Sequence, residues 1–86
     1  MNVCSEITLA PLQEAYEEPI KEFIRSLRAS PFIVKENPLR TQVYGELTPM
    51  MEFLTQAIDS TFDSIAAGII HLKIVKSDRS SYQPFD

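Results

Sequence analysis

The sequence has 86 residues, of which 44% are hydrophobic and 23% charged, and this composition is ordinary for a single globular domain. The formal net charge of −4 argues against a nucleic-acid-binding protein, because such proteins need a basic surface that displaces counterions. The single cysteine, Cys4, excludes an intramolecular disulfide bond and a cysteine-based zinc site.

The same features indicate where the protein resides. A single thiol suits a reducing compartment. No apolar segment approaches the ~20 residues needed to cross a bilayer, and the first residues lack the basic and then apolar pattern of a signal peptide. We therefore expect a cytoplasmic protein that contacts neither membranes nor nucleic acids. Because a domain this small is only marginally stable alone, an oligomer is favoured.

Hydrophobic periodicity predicts a strand and then a helix at the start of the chain. Apolar and polar residues alternate from Asn2 to Leu9, as in a strand with one covered face, and Pro11 ends this pattern. The period becomes helical from Tyr16 to Leu27, where Pro19 fits the first helical position. The apolar stripe of this helix consists of Ile20, Phe23, Ile24 and Leu27.

Two short strands are predicted next, from Phe32 to Glu36 and from Leu39 to Tyr44. Only Asn37 and Pro38 lie between them, so the two strands are expected to form a hairpin. Gly45 is predicted to end the second of these strands.

A second helix and a last strand complete the pattern. Thr48 is a good N-cap, and Pro49 suits the first helical position. Gly68 is predicted to end the helix or connect it to a strand from Ile69 to Val75. The broad helical stripe comprises Met50, Phe53, Leu54, Ala57, Ile58, Thr61, Phe62 and Ile65. We expect one domain over residues 1–76 and a polar tail over residues 77–86.

The element order β-α-β-β-α-β is typical of a ferredoxin-like α+β sandwich. Such a fold has a four-stranded antiparallel sheet with strand order 4-1-3-2. Both helices cover one face of the sheet, and the other face is left open.

The period of two in a strand then predicts which side chains lie on the open face. This set contains Cys4, Glu6, Thr8, Gln42, Tyr44, His71 and Lys73. Thr41 would instead point towards the helices, or line a pocket at the end of the sheet with Asn37 and Arg40. An error of one residue in the strand register would exchange the two faces.

Two interpretations of the polar open face remain. Glu6, Thr8, Gln42, Tyr44 and His71 could line a pocket for a neutral or cationic heterocycle. Alternatively, they could form a polar interface between subunits, which composition alone favours. A third and weaker hypothesis is an enzyme that uses Cys4 with His71, because their strands are neighbours. No metal-ligand spacing and no glycine-rich phosphate loop is present in the sequence.

One segment resembles a known family. Asn37-Pro38-Leu39-Arg40-Thr41-Gln42-Val43-Tyr44-Gly45-Glu46 is similar to the hallmark of the thiamine-binding, YkoF-like family of small proteins, and Ile7-Thr8-Leu9-Ala10-Pro11 is similar to its opening strand. The resemblance covers roughly residues 3 to 76. It implies a ferredoxin-like fold, homodimers or homotetramers, and binding of thiamine or its hydroxymethylpyrimidine part, with no reaction and no cofactor.

By position, the resemblance assigns Thr8, Asn37, Thr41 and Gln42 to ligand binding. Two positions depart from the family pattern, since Arg40 replaces a serine and Ala10 replaces a tyrosine. Arg40 would block the pocket or retune it towards an anionic ligand, because its charge repels a cationic thiazolium.

The sequence thus predicts a non-enzymatic binder of a thiamine-like molecule, with a module for homo-oligomerisation as the alternative. The predicted ligand-binding residues are Glu6, Thr8, Asn37, Arg40, Thr41, Gln42, Tyr44 and His71.

Overall fold

The structure, a computed structural model, describes residues 1–37 and 40–76. The described elements are β1 (Asn2–Pro11), α1 (Glu17–Arg28), β2 (Ile33–Glu36), β3 (Thr41–Glu46), α2 (Leu47–Asp63) and β4 (Gly68–Val75). The predicted tail over residues 77–86 lies outside the described residues, as do Pro38 and Leu39 of the predicted hairpin.

The four strands form one sheet in the order β2-β3-β1-β4, and each neighbouring pair is antiparallel. This order is the predicted 4-1-3-2, given from the opposite edge. In the middle of the sheet, Ile7 of β1 lies between Thr41 of β3 and Leu72 of β4. The predicted ferredoxin-like βαββαβ fold is therefore confirmed.

The core lies between one face of the sheet and the two helices. The sheet contributes Val3, Ile7 and Val43, whose side chains share that face. The helices contribute Phe23 and Leu27 from α1, with Met50 and Leu54 from α2. Full burial of one such side chain stabilises the fold by about 1.5–3 kcal/mol, so these few contacts hold both helices on the sheet.

Both helices begin differently from the prediction. α2 begins at Leu47, directly after β3, and α1 begins at Glu17, so Pro49 and Pro19 are each the third helical residue rather than the first. Thr48 is therefore not the N-cap, and neither N-cap forms a side-chain capping hydrogen bond. Proline is tolerated at the third position because the first four helical N–H groups have no partner within the helix.

The two glycines lie within strands and do not interrupt them. A Cβ atom on Gly45 would lie 2.6 Å from Cδ1 of Phe32, and one on Gly68 would lie 2.5 Å from Cδ1 of Ile65. Each glycine therefore permits close packing. β3 continues past Gly45 to Glu46, and β4 already begins at Gly68, so Gly45 was wrongly predicted to end its strand.

An exposed ion pair joins the end of α1 to β2. Arg28 donates hydrogen bonds from Nε and Nη2 to the two carboxylate oxygens of Glu36, at 2.6 and 2.8 Å. The hydrogen bond from Arg28 lowers the pKa of Glu36, and the same hydrogen bond raises the pKa of Arg28.

Within residues 1–37 and 40–76, no helix is both long enough and apolar enough to span a membrane.

Candidate functional site

The strand register decides which side chains lie on the open side, the face of the sheet opposite the helices. Glu6 lies between Gln42 of β3 and Lys73 of β4, and Thr8 lies opposite His71. All the residues that the sequence placed on the open side lie there, namely Cys4, Glu6, Thr8, Gln42, Tyr44, His71 and Lys73. The predicted assignment of these residues to the open face is therefore confirmed.

The hypothesis of a catalytic Cys4–His71 pair is not supported by this register. Cys4 lies opposite Val75, whereas His71 lies opposite Thr8. The two positions are thus offset by four residues along β1, from Cys4 to Thr8, which corresponds to about 13 Å along a strand. The strands are neighbours, as predicted, but the side chains are too far apart for a hydrogen bond between nucleophile and base.

A notch in the sheet lies where β3 begins. The register between β1 and β3 ends at the pair Ile7–Thr41, whereas β1 continues beside β4 as far as Pro11. At this point Asn37 N–H donates to the Arg40 carbonyl at 3.0 Å. The Asn37 side-chain oxygen accepts the Arg40 N–H, also at 3.0 Å, so Asn37 holds the backbone of Arg40 at the notch.

A cavity of about 170 Å³, hereafter the notch cavity, lies at this point between the sheet and α1. Its lining residues are Ile7, Thr8, Leu9, Ile20, Phe23, Ile24, Asn37, Arg40 and Thr41. Thr41 is only 6% exposed and lines this cavity. A threonine hydroxyl can both donate and accept hydrogen bonds, so this side chain is suited to bind a polar group of a ligand.

A second space, hereafter the open-side depression, has a volume of about 390 Å³ and lies across the sheet from the notch cavity. Its lining residues are Glu6, Ile7, Thr8, Arg40, His71, Leu72 and Lys73. Ile7, Thr8 and Arg40 line both spaces. These three residues therefore form a common wall of the two spaces.

Charged and amide groups converge on the carboxylate of Glu6. Gln42 donates a hydrogen bond to Glu6 Oε1 at 3.2 Å, and Arg40 Nε lies 3.2 Å from the same oxygen. Lys73 Nζ lies 3.7 Å from the other oxygen, Oε2. The Tyr44 hydroxyl donates to Gln42 at 3.3 Å. Glu6 therefore holds together three side chains around the depression, and this gives it a positioning role.

The structure divides the predicted site residues into three groups. Thr8, Asn37, Arg40 and Thr41 line the notch cavity, which agrees with the predicted pocket at the end of the sheet. Glu6 and His71 line the open-side depression together with Thr8 and Arg40. Gln42 and Tyr44 are not among the lining residues of either space. Gln42 donates a hydrogen bond to Glu6, and Tyr44 donates one to Gln42. Their role in ligand binding stays a prediction.

Some lining residues were not in the predicted set. Ile20, Phe23 and Ile24 form an apolar wall of the notch cavity, although their helical stripe indicated only a core role. Lys73 was placed on the open side but not in the site. The ion pair between Lys73 and Glu6 depends on the register between β1 and β4. From the sequence, the alternation along β4 indicated only the face on which Lys73 lies.

Among residues 1–37 and 40–76, no cluster of metal-ligating side chains is found.

The fold is shared with several solved structures. A candidate thiamine biosynthesis or salvage protein from Thermotoga maritima aligns with a TM-score of 0.82 and 19% identity, over 90% of this chain and 85% of its own. A Streptococcus pneumoniae protein aligns with a TM-score of 0.85 and 19% identity, over 95% and 93% of the two chains. A Bacillus cereus domain of unknown function gives a TM-score of 0.76 and 16% identity, over 91% and 78%.

No family profile and no curated protein gives a significant match to the sequence. At these identities the structural neighbours establish the fold alone. The fold that they share with this chain, and the thiamine-related description of the Thermotoga protein, agree with the resemblance to the YkoF-like family.

Proposed function

We propose that this protein binds a small nitrogen heterocycle, thiamine or its hydroxymethylpyrimidine part, and catalyses no reaction on it. The observation that carries the proposal is the notch cavity, which apolar side chains from β1 and α1 line together with Thr41. Apolar surroundings with a few polar groups are typical of sites for flat ring ligands. The resemblance of residues 37–46 to a thiamine-binding family supplies the identity of the heterocycle.

The volume of the cavity limits what it can hold. A dry cavity of ~150 Å³ is known to accommodate a benzene ring. The notch cavity, at about 170 Å³, therefore has room for one six-membered ring with small substituents. Thiamine has two rings, so its second ring would extend across Arg40 into the open-side depression. Its pyrimidine part alone would fit inside.

The polar groups of the cavity suit a pyrimidine. The hydroxyl of Thr41 can donate and accept hydrogen bonds, as a ring nitrogen or an exocyclic amine requires. The flat faces of the ring would pack against Phe23 and Ile24 of α1. Asn37 contributes chiefly to geometry, because its side-chain oxygen accepts the Arg40 N–H and so positions Arg40.

The variant Thr41→Val tests this proposal, since valine keeps the shape of threonine and removes the hydroxyl. Calorimetric titration with hydroxymethylpyrimidine should show binding by the unmodified protein and about tenfold weaker binding by the variant. The exposed Thr48 supplies the matched control, and Thr48→Val should bind as the unmodified protein does. Absence of heat with both hydroxymethylpyrimidine and thiamine, up to millimolar concentrations, would contradict the proposal.

Assembly into a homodimer or homotetramer is part of the proposal and also supplies the second candidate function. On the outer strands, the open side exposes two large apolar side chains, Ile33 at 53% and Ile69 at 45%. Exposed apolar patches commonly mark contact surfaces. If the protein serves only as an assembly module, light scattering will show an oligomer while the titrations with both ligands stay flat.

The proposal also includes a cytoplasmic location. It is supported by the single thiol of Cys4, which suits a reducing compartment. Nucleic acid is not among the proposed partners, because the chain carries a net charge of −4.

A further inference from the structure

The open-side depression carries more fixed positive than negative charge. Arg40 and Lys73 contribute two cations, and Glu6 contributes the only carboxylate among the residues that line it. The chain as a whole has a net charge of −4, so this local excess is opposite in sign to the protein. Such a site attracts an anionic group more strongly than the remaining surface does.

The two cations also have hydrogen-bonding capacity to offer. Arg40 Nε is buried and lies 3.2 Å from Glu6, but its N–H is not directed at an acceptor in the described part of the chain. Lys73 Nζ lies 3.7 Å from Glu6, which is too long for a hydrogen bond. Glu6 thus attracts both cations without accepting a hydrogen bond from Arg40 Nε or from Lys73. The exposed parts of both side chains can donate to a phosphate oxygen.

We propose that the ligand of this site is a heterocycle that carries a phosphate monoester. The ring occupies the notch cavity, and the phosphate lies in the open-side depression between Arg40, Lys73 and His71. This inference rests on the proposed function, because it requires the ring to occupy the notch cavity. Ile7, Thr8 and Arg40 line both spaces, so a small molecule that passes the Arg40 side chain would reach both.

Charge also ranks the alternatives within the thiamine-like class. A thiazolium ring that extends out of the notch cavity would bring a fixed positive charge next to Arg40, and the two would repel each other. A neutral pyrimidine with a phosphate has the opposite charge at the same place. The site therefore favours hydroxymethylpyrimidine monophosphate over both the unphosphorylated pyrimidine and thiamine.

Calorimetric titrations of the full chain with hydroxymethylpyrimidine and with its monophosphate test the inference. The readout is the ratio of the two dissociation constants, which we expect to favour the monophosphate about tenfold or more. Lys73→Gln should reduce this ratio towards one. Lys21→Gln, an equal change of charge at an exposed position on α1, should leave the ratio unchanged. Since Lys73 is 72% exposed, its substitution should not unfold the protein, and circular dichroism will verify this.

The possible results separate the inference from the proposed function. A high ratio that Lys73→Gln reduces and Lys21→Gln preserves supports the phosphate site. Equal affinity for the two ligands, or an equal effect of the two lysine variants, overturns the phosphate site while the proposed function stands. Failure of both ligands to bind overturns the proposed function and the inference together.

Discussion

At the scale of single residues, local sequence rules identified the right positions but sometimes the wrong roles. Gly45 was predicted to end its strand, and Gly68 was predicted to end the helix or connect it to the last strand. Instead, β3 continues past Gly45, and Gly68 is the first residue of β4. Their role depends on what packs above them, Phe32 in one case and Ile65 in the other. Phe32 lies in another part of the chain, so its contact with Gly45 leaves no local signal in the sequence.

A comparison of Gly45→Ala with Gly68→Ala tests this packing role. The added methyl group at Gly45 would meet the rigid ring of Phe32, which packs edge-on against Phe53 with ring centroids 5.8 Å apart. We expect Gly45→Ala to reduce the free energy of unfolding by about 1–3 kcal/mol. Gly68→Ala should cost less, because the Ile65 side chain can rotate away. Urea denaturation measures both, and equal effects would contradict the packing argument.

At the scale of elements, hydrophobic period identified every helix and strand, and the boundaries were less well predicted. The open-side residues followed from alternation along β1, β3 and β4. The notch could not be predicted in this way, because it arises where the register of β1 with β3 stops at Thr41. The Cys4–His71 hypothesis was wrong for the same reason. Strand adjacency follows from topology, but the offset between two residues requires the register.

The ion pair between α1 and β2 gives a prediction of pH dependence. Because Arg28 lowers the pKa of Glu36 in the folded state, the pair stabilises the protein above the unfolded pKa of that carboxyl. This contribution disappears as the pH falls through the lowered pKa. It is small, since both groups are exposed. Glu36→Gln should reduce the difference in urea midpoint between pH 7 and pH 3.

The control for this prediction is Glu52→Gln. Glu52 is exposed on α2 and forms no ion pair with another described residue. This variant should keep the pH dependence of the unmodified protein. If Glu36→Gln and Glu52→Gln behave alike, the ion pair does not contribute to stability in acid.

At the scale of the whole molecule, the fold was predictable because element order and the YkoF-like resemblance agreed. The structures from Thermotoga and Streptococcus share that fold at 19% identity. The site was predictable only in part. Its polar residues stand out in the sequence, whereas the apolar wall from Ile20, Phe23 and Ile24 has the same pattern as an ordinary core helix. Whether a helical stripe fills its space depends on three-dimensional packing.

The central claim is that the notch cavity holds a pyrimidine ring, and an NMR titration of the ¹⁵N-labelled protein with hydroxymethylpyrimidine tests it most directly. We predict saturable amide shifts concentrated at Thr8, Phe23 and Thr41. Residues such as Ser60 and Thr61, in the separate groove between α1 and α2, should not shift. Shifts confined to that groove, or no saturable shift up to millimolar ligand, would contradict the claim.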